Sequence, residues 1–515
     1  MMDPVLRSLH RRPRTLAGTA LLLAVLLLAV SLLAGCNQPP LIPAPPDTGP
    51  ELEAMQLSAG LLSPYRVPGE AKVLLRIQDR LAHYNVPGIS IAVIDGGELR
   101  WAKSWGVRVA GSDEGMTPET QLQASSIAKG LTATLALRQV DEGVLELDQT
   151  VPADLLPADL LPADLLPADL LPADRQGAAP TLRGLLSHLS GLGPQSYAGD
   201  PELDSQSLVR LAAPGETMLY SGGGYQLVQS WLESATGSTF AELAEQELLT
   251  PLEMTRSVFA VDPQAPWAVG HDGSGEALDG EYRPFPQAAA AGLWTTPTDL
   301  AHWLIDLQKA HAGKPGRRLK KATVRQAFTA QEPSPWGLGL QLGGAGQARW
   351  VAHSGGNPGY PSLALGFVSS GHGAVIMTNG DGGHGLIREV ITGLAEVYQW
   401  PAFQQELLEP EIDGVAADSV PVGSYDLPTL PGQAFSIRID DDGKVHGRLF
   451  GSEAALLPLQ DGSWIAPEPA YRLRSGQNGV LEFQTYPNFR FHAVPVPDKT
   501  ATPPEGAGSA EHDGG

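Results

Sequence analysis

The chain has 515 residues, 42% hydrophobic and 18% charged, with 34 Lys and Arg against 57 Asp and Glu and a formal net charge of −23. This is enough apolar material for a large core and too little charge for a chain disordered throughout, with room for one large domain plus appendages or for three ordinary ones. The acidic balance opposes a phosphate backbone, so no nucleic-acid partner is expected, and a single cysteine excludes disulfide frameworks, Cys-rich zinc sites and iron–sulfur clusters.

That cysteine closes the first element. Arg7, Arg11, Arg12 and Arg14 precede an uncharged run from Leu16 to Leu33, followed by Ala34-Gly35-Cys36. A basic start, an apolar middle and a small-residue exit describe a secretory signal over 1–35. Leu33-Ala34-Gly35-Cys36 resembles a bacterial lipobox, which implies lipidation of Cys36 and a membrane partner through that anchor. An uncleaved membrane helix is the other reading of the run, which just reaches the lower length limit for spanning. Either way the arginines stay inside and the body lies outside the cytoplasmic membrane. Pro39, Pro40, Pro43, Pro45, Pro46 and Pro50 mark 36–69 as an extended, semi-rigid linker.

The next segment, 71–84, places Leu74, Ile77, Leu81 and Tyr84 at helical spacing, and Pro87-Gly88 stops it. Ile89, Ile91 and Val93 alternate towards Asp95-Gly96-Gly97, and a second run from Leu99 to Val109 completes a β-hairpin. Helical patterns dominate from there to about 260, and mixed segments continue to about 400. Within them, 152–174 repeats Pro-Ala-Asp-Leu-Leu with period five. A proline every five residues forbids both helix and ladder, so the expectation is a duplicated, surface-lying loop. From 418 to 497 short alternating strands such as Phe435–Ile439 and Lys444–Leu449, joined by Asp440-Asp441-Asp442-Gly443, suggest a small β-rich domain. Residues 498–515 are expected to be a disordered tail.

Chemistry concentrates in the 70–402 region. In Ala124-Ser125-Ser126-Ile127-Ala128-Lys129, with Ile127, Leu131 and Leu135 recurring every four residues, Ser126 stands at a helix N-terminus and Lys129 one turn on, on the same face. A serine hydroxyl is a weak nucleophile until a base takes its proton, and a buried, neutral lysine can serve. Further along come Tyr220-Ser221-Gly222 and His353-Ser354-Gly355-Gly356. With these companions the chain resembles the serine β-lactamase and penicillin-binding family, in the branch of class C β-lactamases, D-alanyl-D-alanine carboxypeptidases, D-amino-acid peptidases and esterases. Thr181 to Leu192, Pro251 to Thr255, and Ala291-Gly292-Leu293 before Thr295 to Leu300 resemble the family too. In the last of these, Thr296 suits a helix cap, Pro297 its first position and Asp299 its positive end.

The resemblance implies an α+β fold, an antiparallel sheet flanked by helices plus an all-helical lobe, to which the strand pattern beyond 418 adds the small C-terminal β-domain. It implies that Ser126 attacks a carbonyl to form an acyl-enzyme, that Lys129 and Tyr220 share the proton transfers, and that His353 opens the third motif. The N–H groups of Ser126 and Gly356 would form the oxyanion hole, and Gly222, Ser354 and Gly355 would line the substrate site. Two departures weigh on specificity. Gly222 stands where the family carries an asparagine that binds a substrate amide, and His353 replaces a lysine, so a substrate carboxylate would be held less firmly. The expected activity is that of a D,D-peptidase or esterase on a small molecule or peptide more than a true β-lactamase. A catalytically inactive envelope binding or scaffold protein is the alternative that Gly222 keeps open. No cofactor and no metal are expected: Asp381 and His384 form a loop pair without a third ligand at diagnostic spacing.

Overall fold

The computed structural model describes residues 49–156, 179–193, 210–260, 262–315, 317–410, 422–427, 434–449, 452–466, 471–476, 479–485 and 489–496. The signal with Cys36, most of the Pro-rich segment, the repeat beyond Leu156 and the C-terminal tail lie outside them. Among the described residues no helix is long and apolar enough to cross a membrane.

Six antiparallel strands, β1 (Gly88–Asp95), β2 (Glu98–Gly106), β3 (Gln341–Gly343), β4 (Trp350–Asn357), β5 (Tyr360–Phe367) and β6 (Gly373–Thr378), pair in the order β2-β1-β6-β5-β4-β3. The first two form the hairpin expected from the alternation. Its two-residue loop is Gly96-Gly97, both at positive φ, which a twisted two-residue hairpin demands. Buried side chains alternate between two layers, as a strand covered on both faces requires. Ile89, Ile91 and Val93 meet one apolar cluster and Ala92 and Ile94 the other.

The first cluster is built by α1 (Pro50–Ala59), α2 (Ile77–His83) and a late helix, residues 383–397, through Leu57, Ile77, Leu81, Val390, Ile391 and Leu394. The opposite layer holds α3 (Ala128–Glu142), α4 (Gly222–Thr236) and α5 (Pro297–Ala312), and α6 (Gly383–Val397) is the late helix just named. Gly143 ends α3 in the left-handed region, and Thr296 caps α5 by accepting the Asp299 N–H.

Three expectations change. The extended linker expected over 36–69 gives way at Pro50 to α1, whose Leu57 is buried in the first cluster. The helix expected over 71–84 begins only at Ile77: Leu75 exchanges both backbone hydrogen bonds with Leu61, which holds that stretch extended and leaves Leu74 60% exposed. The repeat does not start as a bare surface loop. Its first unit makes a short turn, Ala153–Leu155, and Leu155 and Leu156 pack against the large cluster.

Nine C-terminal strands follow: β7 (Gly423–Asp426), β8 (Ala434–Ile439), β9 (Val445–Leu449), β10 (Ser452–Ala455), β11 (Leu457–Pro458), β12 (Trp464–Ala466), β13 (Tyr471–Ser475), β14 (Leu481–Thr485) and β15 (Phe489–Pro495). Their antiparallel order is β10-β9-β8-β7-β15-β14-β13-β12-β11, a barrel-like wrap around Phe435, Ile437, Leu473, Tyr471 and Phe483.

Candidate active site

The segment that carries Ser126 is stitched to the β4–β5 hairpin. Ser125, at a left-handed φ of 54°, inserts its hydroxyl between the strands: Oγ accepts the Asn357 N–H at 2.9 Å and donates to the Tyr360 carbonyl at 3.1 Å. Ser362 Oγ donates to the Ala124 carbonyl, and Asn357 Nδ2 donates to Gln123 Oε1 at 2.6 Å. A strained residue persists only where its surroundings over-determine it, and these bonds do so beside Ser126. Ser126 then lies in a one-turn 3-10 helix, Ser125–Ile127, which runs straight into α3.

One turn on, Lys129 Nζ lies 3.2 Å from Ser126 Oγ and donates to the Ala290 carbonyl at 2.8 Å. It is 3% exposed, and burial pushes its pKa down to about 7. A lysine that holds a neutral amine near neutral pH can accept a proton from a hydroxyl in contact. The rings of Tyr220 and Tyr225 lie under the amine at 5.1 and 5.9 Å. The Tyr220 ring is thus brought beside Lys129 and Ser126. Gly222 is the first residue of α4, so its backbone is helical and a side chain there meets no glycine-only conformation.

His353 closes the far side, with its ring 6.5 Å from that of Tyr220 and 5.2 Å from Trp336. Its Nδ1 lies 2.8 Å from the Ser354 carbonyl, which can only accept, so the hydrogen sits on Nδ1 and Nε2 carries a bare lone pair. Nε2 is buried with no partner among the described residues, and burial together with the Lys129 charge pushes the pKa down to about 3. His353 is expected to hold a carboxylate less firmly than a lysine would, and here the ring is neutral and offers an acceptor.

The expectation for Gly355 is corrected. A Cβ there would run into Ser362 Oγ, the Ala124 carbonyl and, at 2.8 Å, Ser125 Cβ, so Gly355 is a close-packing position under the nucleophile segment and does not face a substrate. Ser354 is half-buried, and its carbonyl fixes the His353 ring. Gly356 is exposed. Asn357 and Tyr360 close the hairpin, and alternation then makes Gly356 and Pro361 a pair without mutual hydrogen bonds, as a proline without an N–H requires. The Gly356 N–H thus points away from β5, along an edge that β3 leaves open because it pairs only with Trp350–Ala352.

Sequence reading assigned no role to His188, Trp336 or His384. His188 is fully buried, with its ring 4.4 Å from Tyr220 and 4.9 Å from Trp336. The quoted Thr181–Leu192 segment contained it, but nothing in spacing said where it would point. His384 sits at the rim, its Nε2 3.6 Å from where a Gly356 Cβ would be. Asp381 is committed to the hairpin turn, accepting the Gly359 N–H at 2.6 Å. Among the described residues no group of three or more His, Cys, Asp or Glu could hold a metal ion.

A sheet with helical layers on both faces and a buried Ser-x-x-Lys pair at its edge defines a class of serine hydrolases. Residues 75–399 match the Beta-lactamase family model, and the chain belongs to that family. A D-aminopeptidase of Gluconobacter oxydans is 27% identical over 313 residues, 58% of this chain and 57% of that protein. A D-aminopeptidase of Brucella anthropi is 25% identical over 404 residues, 73% of this chain and 70% of that protein. The chain thus spans little more than half the length of the Gluconobacter relative. Among solved structures, SurE superposes with a TM-score of 0.54 at 22% identity, covering 81% of this chain and 97% of its own. The octameric penicillin-binding protein homologue from Pyrococcus abyssi does so with a TM-score of 0.53 at 22% identity, covering 81% and 98%. Both are likenesses of fold, and the expected α+β architecture is the one found.

Proposed function

We propose that the protein hydrolyses amide bonds in small D-configured peptides and amino-acid amides through an acyl-enzyme on Ser126, and that it works outside the cytoplasmic membrane, anchored through Cys36. The observation that carries the reading is the enclosed contact between Lys129 Nζ and Ser126 Oγ at 3.2 Å. The neutral amine takes the hydroxyl proton as Oγ bonds to the carbonyl carbon. The resulting oxyanion is met by the N–H groups of Ser126 and Gly356, donors fixed before the charge develops. As the C–N bond breaks, the leaving amine takes the proton back through Lys129 and Tyr220. Water then adds to the ester, giving its proton to the same pair, and Ser126 leaves with it.

Two features support this substrate class. The relatives bear the name D-aminopeptidase. His353 offers a lone pair and no cation, which disfavours substrates gripped by a carboxylate. A fluorophosphonate should label Ser126, and D-amino-acid anilides should turn over at least ten times faster than a chromogenic cephalosporin, with both signals lost in Ser126→Ala. Labelling at another serine, or full turnover in Ser126→Ala, overturns the mechanism. For the anchor, Cys36→Ser should abolish incorporation of labelled palmitate, and unchanged incorporation would remove that part.

A further inference from the structure

Tyr220 belongs to no helix or strand, because α4 begins only at Gly222 with Ser221 as its cap. No backbone ladder therefore aims its phenol at Lys129. One residue brackets it instead. The His188 carbonyl accepts the Leu219 N–H at 2.9 Å, and His188 Nδ1 accepts the Ser221 N–H at 3.2 Å. Between these two tethers the His188 ring lies against the Tyr220 ring.

The bracket is over-built for a loop histidine. His188 sits at a φ of 62°, a left-handed conformation that costs a non-glycine residue on the order of 1 kcal/mol. It is 0% exposed and also packs on Tyr225, at 5.6 Å, and on Trp336. Accepting at Nδ1 fixes the neutral tautomer with its hydrogen on Nε2. Protonation would put a second hydrogen against the Ser221 N–H and break the tether. Burial, reinforced by the neighbouring Lys129, keeps the pKa well below the usual histidine range.

We propose that His188 is a positioning residue for Tyr220. It holds the phenol over Lys129 through the Leu219 and Ser221 tethers and closes that side of the lysine pocket to water, without exchanging a proton with substrate. The inference rests on the reading of Ser126, Lys129 and Tyr220 as the reacting set.

Two substitutions tolerate the left-handed backbone and separate the tether from the bulk. His188→Asn keeps an acceptor near the Nδ1 position, and His188→Gly keeps neither acceptor nor ring. On a D-amino-acid anilide, His188→Asn should stay within about fivefold of wild-type kcat. His188→Gly should lose about a hundredfold in kcat with KM within about threefold, because the defect lies in proton transfer and not in binding. Water entering beside Lys129 should move the acid limb of the His188→Gly pH profile upward by about one unit. Adding His188→Gly to Tyr220→Phe should cost little beyond Tyr220→Phe alone, since both act through one phenol. Additive losses, an unmoved acid limb, or a His188→Gly crystal structure with the Tyr220 ring in its original place would each overturn the proposal. The crystal structure decides it even if wild type neither labels nor turns over, an outcome that would sink the function and leave the bracket to be judged on geometry.

Discussion

Lys129 and Tyr471 are both polar groups taken out of water, one beside Ser126 and the other inside the C-terminal strands, and their settings differ. Tyr471 is 1% exposed and packed between Phe435 and Phe483, and its hydroxyl has no partner among the described residues; burial raises its pKa, so it stays a phenol. Charges in that region stay on the outside, where Arg438 pairs with Glu453 and His446 with Asp440. Around Lys129 the buried polar groups converge. The amine touches a serine hydroxyl, and two imidazoles, His188 and His353, each keep one ring nitrogen without a partner among the described residues in the same aromatic box. An unpaired buried polar group costs roughly 1–3 kcal/mol wherever it sits. In the barrel that cost stands alone, whereas beside Lys129 it falls where several polar groups meet.

The largest expected effect separates the two regions outright. Lys129→Met should reduce turnover by about a thousandfold or more, since members of a reacting unit fail together. It should also make the protein more stable. Between pH 7 and 10.5 the unfolded lysine is protonated and the folded one is not, so the unfolded state binds the extra proton and wild-type stability rises with pH through that window. The penalty is complete below about pH 7, at roughly 3–5 kcal/mol when each pKa unit counts for about 1.4 kcal/mol. The Tm gap between Lys129→Met and wild type should therefore be widest near pH 7 and close towards pH 10, while activity of the wild type falls as pH drops through about 7. A gap that stays constant with pH would mean that Lys129 is charged in the fold.

Phe435→Ala should act in the opposite sense. It removes a fully buried ring set edge-to-face against Phe483 at 4.4 Å and should cost about 3–5 kcal/mol by denaturant titration. Turnover at 25 °C should stay within about twofold, because the site is assembled by other elements. A large loss of activity would tie the barrel to the chemistry.

The smallest effect sharpens the contrast. Tyr471→Phe also deletes a buried, unpaired polar atom, and it should leave activity unchanged and stability unchanged or raised by up to about 1 kcal/mol. A clear loss of stability would show that the hydroxyl has a partner.

How much of this could be read in advance follows the range of each interaction. The capping at Thr296, Pro297 and Asp299, the Gly143 stop, the Gly96-Gly97 hairpin and the Asp440–Gly443 turn depend on a few adjacent residues, and adjacent residues are what a sequence displays. The Ser126–Lys129 contact is of the same kind, because one helical turn brings the pair together in any setting. The companions Tyr220 and His353 came from resemblance and not from spacing. Their mutual distance, over a hundred residues of chain, is set by how β4, α3 and the start of α4 pack.

What only the tertiary structure decided was the state of each group. Lys129 near pKa 7 requires the enclosure that Ala290, Tyr220 and Tyr225 provide, and nothing in Ser-x-x-Lys announces it. The tautomer of His353 follows from the Ser354 carbonyl, and that of His188 from the Ser221 N–H, so each is fixed by a backbone direction. Gly355 reads like a flexible motif glycine and proves to be the point where Ser125 and Ser362 meet. The helix expected from residue 71 gave way to a bridge between Leu75 and Leu61, and two repeat leucines found a core that the repeat itself could not reveal. Sequence determines what can form over a few residues, because propensities, caps and turns are local energies. Burial, dielectric and partner choice are properties of the assembled interior, and they set the Lys129 amine and the Ser126 hydroxyl together out of water.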